Sequence, residues 1–247
     1  MGAVRQAVLL AAGKGTRLLP HTQYVPKCMV ELGGAAIVDH LIAAAAPLDL
    51  EEWVVVTGYL KEVLEQHFAQ VHPELNVRFV DNPDYATTNN IYSLHLAAGA
   101  IRAPFALLES DIFAAPRVLS AVEEPDRMVV ARYTEQMDGT GVRVGADGVV
   151  QEMILGAHKA GVDVAALHKT VNFYSFSKPT WARYRAALAT WVAAGKLGDY
   201  YEAVLADLIN DGSVTLRAVD ATSYRWTEID DPDDLRAAEG MLAAASE

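Results

Sequence analysis

Cysteine is almost missing from this chain of 247 residues; Cys28 is the only one. No disulfide can close within the chain, and with no His/Asn partner pattern beside it Cys28 reads as a small buried hydrophobe rather than a nucleophile. Basic residues are scarce too, 20 Lys and Arg against 32 Asp and Glu, giving a net charge of −12. That balance argues against a nucleic-acid surface, which wants a basic stripe. Long apolar runs are absent. The longest alanine-rich stretch, 35–47, is interrupted by Asp39 and His40, and nothing resembling a signal peptide precedes the first apolar run, so a cytoplasmic, non-membrane protein is expected. Two familiar phosphate loops are also missing. There is no G-x-x-x-x-G-K-[ST] string. Gly15 is followed by Thr16-Arg17-Leu18 rather than the rest of G-x-G-x-x-G, and the second strand ends in Val56-Thr57-Gly58 without an acid.

What is present begins with a continuous apolar run, Ala7 to Ala12, suited to a strand buried on both faces. Residues 35–46 read as a helix, 53–58 as a second strand, 59–70 as an amphipathic helix with Leu60, Val63, Leu64 and Phe68 at helical spacing, and 76–80 and 104–111 as further strands. Strand alternating with helix predicts an α/β fold with a doubly wound, mostly parallel sheet, in which ligands sit beyond the carboxyl ends of the strands. From Asp126 the pattern turns β-rich, with strands at 128–132, 142–144, 149–154 and 171–175, a hairpin turn at 146–148 and an irregular stretch at 155–170. This predicts one domain in three parts, the first to about residue 125, then a small β-rich lobe over 126–225, then a strand end and helix over 226–247. Helices are expected at 179–194 and 199–210 and a strand at 214–219.

The first strand breaks into Gly13-Lys14-Gly15-Thr16-Arg17, where bare N–H groups can approach a phosphate chain and cations offset its charge. Lys27, behind Pro26, follows ten residues after Arg17, and the two bracket the turn like a triphosphate clamp. Between Asp81 and Leu94 two accounts fit. Asn82-Pro83 can form a turn with Thr88 or Asn89 capping a helix, or the amides of Asn89 and Asn90 and the hydroxyl of Ser93 can face a base edge. Asp111 closes the fourth strand, either as a turn former or as a ligand, with Glu109 packed beside it. An extended Thr227–Asp230 places Glu228 and Asp230 on one side and Ile229 on the other. Two such carboxylates repel unless a cation lies between them, and hard oxygens suit Mg²⁺. Asp231 is an expected helix N-cap, with Pro232 in the first turn and Asp233 and Asp234 complementing the helix dipole.

The string L-A-A-G-K-G-T-R-L-x-P, followed by P-K and E-L-G-G-x-x-I-V, resembles the nucleotidyltransferases that join a nucleotide to a phosphorylated small molecule. N-P-D-Y-x-x-T-N-N-I-Y-S-L is similar to a segment of their phosphocholine cytidylyltransferase-like branch, which includes phosphonate cytidylyltransferases. The P-x-G-x-A-x-A loop usual in the sugar-1-phosphate branch is missing. The resemblance implies a Rossmann-like fold and CTP as nucleotide, held by Leu10, Ala11, Ala12, Gly13, Lys14, Gly15, Thr16, Tyr85, Thr88, Asn89, Asn90 and Ser93. It implies charge stabilisation by Arg17 and Lys27, and Mg²⁺ on Asp111, Glu228 and Asp230, and it makes the three parts of the chain nucleotide-binding, acceptor-binding and metal-binding in turn. The acceptor, a small phosphonate or phosphomonoester, would meet Lys169 and Asn172; Tyr200, Tyr201 and Trp226 are candidates for an aromatic cage. Gly139 and Thr140 stand where a phosphocholine-type relative would carry an aromatic, which favours 2-aminoethylphosphonate or a hydroxyalkylphosphonate slightly over phosphocholine. A sugar-1-phosphate enzyme and a nucleotide-sensing module are the rival readings, and the oligomeric state is open, a homodimer included.

Overall fold

A computed structural model describes residues 3–157 and 161–244. The chain opens with β1 (Gln6–Leu10) and reaches the short hairpin strands β2 (Glu31–Leu32) and β3 (Ala35–Ala36). Next come α1 (Ile37–Ala45), β4 (Glu52–Thr57), α2 (Lys61–Val71), β5 (Val77–Asp81), α3 (Asn90–Ala97), β6 (Phe105–Glu109), β7 (Ile112–Ala114) and α4 (Pro116–Ser120). The second half holds β8 (Arg127–Arg132), β9 (Gly141–Val144), β10 (Val150–Ile154), β11 (His168–Phe176), α5 (Lys178–Ala193), α6 (Tyr201–Asn210), β12 (Arg217–Asp220), β13 (Trp226–Glu228) and α7 (Pro232–Ala243).

One nine-stranded sheet runs β10-β9-β11-β6-β1-β4-β5, with β8 joined to β11 and β12 joined to β8. The pairings β6–β1–β4–β5 are parallel, and β11 turns the sheet antiparallel against β6. Every residue of β1 is buried. Because side chains alternate along a strand, Val8 and Leu10 enter one core with α3, α5 and α6, while Ala7 and Leu9 enter the opposite core with α1, α2 and α4. The helices therefore cover both faces, and the predicted doubly wound α/β sheet is present.

Three local differences from the sequence reading have physical causes. Ala35 and Ala36 are extended and pair with Glu31 and Leu32; α1 starts at Ile37, where the Asp39 carboxylate accepts a hydrogen bond from the Ala36 amide at 3.0 Å. Helix α2 starts at Lys61 because Leu60 holds a left-handed backbone with φ of 50°. The expected strand 104–111 ends at Glu109, and the chain resumes as β7, which leaves the main sheet to form an antiparallel ribbon with β13.

Candidate active site

At the carboxyl end of β1 the chain folds over the sheet and forms one wall of a cleft of about 340 Å³. The Ala11 amide donates to the Val56 carbonyl (2.9 Å) and the Tyr59 amide to the Ala12 carbonyl (3.0 Å), pinning the loop to β4 and its following turn. Gly58 permits that approach, since a Cβ there would lie 2.8 Å from the Ala12 carbonyl oxygen and from the Tyr85 Cβ. Gly15 has φ of +61° and faces Lys27, whose Cβ would lie 2.8 Å from an added methyl. A left-handed turn against a neighbouring side chain is a position that only glycine fills without strain. The following residues, Thr16–Leu18, make a single 3-10 turn that buries Leu18 and leaves Arg17 exposed.

Leu10, Ala11, Ala12, Gly13, Gly15, Thr16 and Arg17 line the cleft. Lys14 does not; its exposed ammonium lies 5.8 Å from the centre of the Tyr85 ring. Tyr85, Thr88, Asn89, Asn90 and Ser93 form the opposite wall. Asn89 is the N-cap of α3, accepting from the Asn90 amide at 2.7 Å, and its Nδ2 donates to the Gly198 carbonyl at 3.3 Å. Asn90 is engaged at both ends of its amide, donating to Glu109 (3.1 Å) and accepting from the Tyr201 amide (3.1 Å). The buried Asn82 donates to Ser93 Oγ at 3.0 Å and to Thr88 Oγ1 at 3.3 Å. The capping role of Asn89 is thus present in a residue that also lines the cleft.

At the rim, Lys27 Nζ donates to Asp111 Oδ2 at 2.6 Å and to Asp230 Oδ1 at 2.5 Å, and Arg17 reaches the same Asp230 oxygen at 2.8 Å. The ribbon makes this meeting possible. The Ile229 amide donates to the Asp111 carbonyl at 2.8 Å, while the Ile229 side chain is fully buried, so its neighbours on either side face the other way. Burial works against the Lys27 charge, but the charges of Asp111 and Asp230 outweigh it and hold its pKa above the ordinary lysine value. Asp230 is likewise held below the usual carboxylate range: burial opposes this, and Lys27 and Arg17 prevail. Glu109 shifts the opposite way. Burial, reinforced by the nearby charge of Asp111, pushes its carboxyl up to about 8.

Asp111 and Asp230 fit a magnesium site, because two hard carboxylates on one cation, completed by water and phosphate oxygens, is the usual protein share of such a site. Glu228 does not converge with them. Its carboxylate accepts from Lys169 Nζ (2.7 Å) and Asn172 Nδ2 (3.2 Å), and its pKa is raised by burial despite Lys169. Among the described residues, this acidic trio is not gathered within 4.8 Å. The structure thus gathers two of the three expected carboxylates, Asp111 and Asp230, on Lys27, with Glu228 in a neighbouring network. That network has a strained member: Asn172 has φ of 59° inside an irregular stretch of the β8–β11 ladder, which aims its amide at Glu228.

Tyr200 is 58% exposed and lines the cleft beside Asn89 and Asn90. Tyr201 is corrected: it is fully buried, with its ring edge-on to Tyr174, and belongs to the core rather than to an aromatic cage. It opens α6, whose buried face packs on the sheet. Cys28 is also buried, which pushes its thiol up to about 12 and removes it as a nucleophile. Sequence reading missed Asn82 as a support for the wall, having read it only as a turn residue. It also missed Glu202, which accepts from Tyr174 at 2.5 Å and Thr140 at 3.2 Å. No spacing in the sequence links Glu202 to residues so far away.

A glycine-punctuated loop across the carboxyl ends of parallel strands, rimmed by two cations and two carboxylates, defines a nucleotide-binding α/β enzyme of the transferase class. The chain belongs to the MobA-like NTP transferase domain family, whose sequence profile matches residues 7–200. It is 31% identical over 240 residues to the CMP-5'-(3-aminopropyl)phosphonate synthase of Streptomyces rubellomurinus, covering 95% of this chain but 38% of that protein. It is 27% identical over 239 residues to the choline-phosphate cytidylyltransferase of Streptococcus pneumoniae, covering 96% of this chain and 98% of that one. The solved CTP:phosphocholine cytidylyltransferase from Streptococcus pneumoniae superposes with a TM-score of 0.78 at 22% identity, over 97% of this chain and 100% of that one. At that identity the likeness is one of fold.

Proposed function

We propose that the chain is a Mg²⁺-dependent cytidylyltransferase that moves CMP from CTP onto a small phosphonate or phosphomonoester and releases pyrophosphate. The observation that carries this reading is the Lys27 clasp on Asp111 and Asp230, set at the rim of a phosphate-sized loop. The names of the phosphonate and choline-phosphate relatives support the cytidylyl donor and the acceptor class.

The loop amides from Gly13 to Arg17 cradle the triphosphate, and Arg17 and Lys27 meet the charge that builds on the α-phosphate. When bound at Asp111 and Asp230, Mg²⁺ would supply further neutralisation of the phosphates. An acceptor oxygen forms the new bond to the α-phosphorus while the bond to the bridging oxygen of pyrophosphate breaks. The acceptor is already ionised, so no strong general base is required, and the contribution of the chain is positioning. Lys169, whose ammonium is paired with Glu228, and Asn172, on the same carboxylate, are assigned the acceptor phosphate or phosphonate. Glu202, which among the described residues accepts from the Tyr174 and Thr140 hydroxyls rather than from a cation, favours an acceptor that carries an ammonium.

The test is Mg²⁺-dependent pyrophosphate release with CTP against 2-aminoethylphosphonate, hydroxymethyl- and hydroxyethylphosphonate, phosphocholine and glucose 1-phosphate. Release with an aminoalkylphosphonate or phosphocholine is expected. Turnover confined to glucose 1-phosphate with UTP or dTTP would overturn the reading. CTP binding without release, in a folded sample, would instead revive a sensing role.

A further inference from the structure

Outside the cleft, at the start of α1, a second group of ligand-type side chains converges. His67 Nε2 and His72 Nε2 lie 2.7 and 2.8 Å from the same oxygen, Asp39 Oδ1. Asp39 stands in the first turn of α1, His67 lies on α2, and His72 caps that helix. All three side chains are more than four-fifths buried. Among the described residues, this is the one group of three His, Cys, Asp or Glu ligand atoms that gathers within 4.8 Å. It shares no residue with the cleft around Lys27, and no part of the proposed chemistry uses it.

We propose that Asp39, His67 and His72 form a binding site for a divalent transition metal of the zinc type, which would staple α1 to α2. The ligand chemistry selects the ion. Two imidazoles and one carboxylate suit zinc and its first-row neighbours, whereas magnesium and calcium prefer oxygen alone. The spacing suits it as well. Ligands about 2.0 Å from a tetrahedral ion lie roughly 3.3 Å apart, so each Nε2 would retreat from Asp39 by about half an ångström to admit the metal. Asp39 is already oriented for the task, since its other oxygen, Oδ2, is held by the Ala36 amide at 3.0 Å. This is the kind of outer hydrogen bond that fixes a metal-binding carboxylate.

The surroundings of His72 point the same way. Its second nitrogen, Nδ1, faces Glu74 Oε1 at 3.7 Å, so both ring nitrogens look toward carboxylates. A neutral imidazole carries one N–H, and can satisfy only one of them by donation. With a metal on Nε2, the proton resides on Nδ1 and faces Glu74, the arrangement that commonly supports a metal-bound histidine. A surface cleft lined by Asp39, Trp53, His72 and Glu74 reaches the group from outside, giving an entry path and room for a water as fourth ligand.

The experiment is titration of chelator-treated chain with Co²⁺ and then Zn²⁺, in excess Mg²⁺ so that the all-carboxylate pair is occupied. Expected is one equivalent of bound Co²⁺ with visible d–d absorption, displaced by one equivalent of Zn²⁺. The His67→Gln/His72→Gln variant, which leaves the Asp39 cap intact, should bind at least about 100-fold more weakly, while its far-UV circular dichroism and pyrophosphate release match the unmodified chain. If the double variant does not fold, His67→Gln alone carries the same comparison. No Co²⁺ or Zn²⁺ binding by the unmodified chain would overturn the proposal. So would binding that is unchanged in the folded variant.

Discussion

Lys27 is the residue on which the site turns, because it is the shared counter-ion of two acids far from it and from each other in the chain, Asp111 and Asp230. Lys27→Ala should lower turnover by about 10²–10³-fold, the usual loss on removing a charge-stabilising donor, with the far-UV spectrum unchanged. The same variant leaves Asp111 facing Asp230 without an ammonium between them. Its melting temperature should therefore fall most in chelator and recover when Mg²⁺ is added. Glu109 gives a test by pH. Its carboxyl titrates at about 8 in the fold against 4.5 in a free chain. The stability it contributes is complete below the lower value and is lost as pH rises through the upper one. Glu109→Gln stays uncharged throughout, so between about pH 5 and pH 9 its stability in urea should gain on the unmodified chain by about 1–2 kcal/mol, partial solvent access reducing the full shift. Parallel pH profiles for the two proteins would refute that assignment.

At the level of elements, the ribbon of β7 and β13 decides where the acids stand. Ile229 anchors it in a small core with Leu18, Val30, Leu32 and Leu235. Ile229→Ala should cost about 2–4 kcal/mol in denaturant unfolding and raise the Mg²⁺ concentration needed for half-maximal activity, since Asp230 loses its fixed neighbour. The sequence showed much of this region. Alternation along Thr227–Asp230 separated Ile229 from the two acids, and Asp231 does cap α7, accepting from the amides of Asp233 and Asp234. It did not show that Glu228 is matched by Lys169, because a strand pattern states which side a residue faces and not what waits there. Periodicity failed likewise at Ala35 and Ala36, where pairing with the hairpin partner overrode the helix preference of alanine. The loop from Gly13 to Arg17 was legible because its glycines answer a local need, one fixed by φ and close contact at Gly15. Tyr201 was not, because burial in α6 depends on the whole sheet beneath it.

Across the whole molecule, β11 is the joint. It lies antiparallel to β6 of the first half while pairing with β8 and β9 of the second. One core likewise gathers Val8 and Leu107 with Tyr174, Phe176 and Tyr201. A fragment of residues 1–125 would expose the edge of β6 and half of that core, and should show no cooperative unfolding transition. In the full chain, tryptophan fluorescence and circular dichroism should report a single coincident urea transition. Two separated transitions would mean that the halves fold alone.

The placing of Asp230 has a consequence for how the protein is made. It is 203 positions beyond Lys27, and α7 brings Leu235 and Ala238 against Leu18 and Val30, which flank the two cations. Synthesis on a ribosome is vectorial, and chain segments can settle as they emerge. Here the loop at residues 13–17 emerges well before its acidic partner Asp230 and the α7 packing beneath it. A nascent chain stalled before residue 226 lacks Asp230 and the packing of α7, so the ion pair between Lys27 and Asp230 forms only after that segment has emerged.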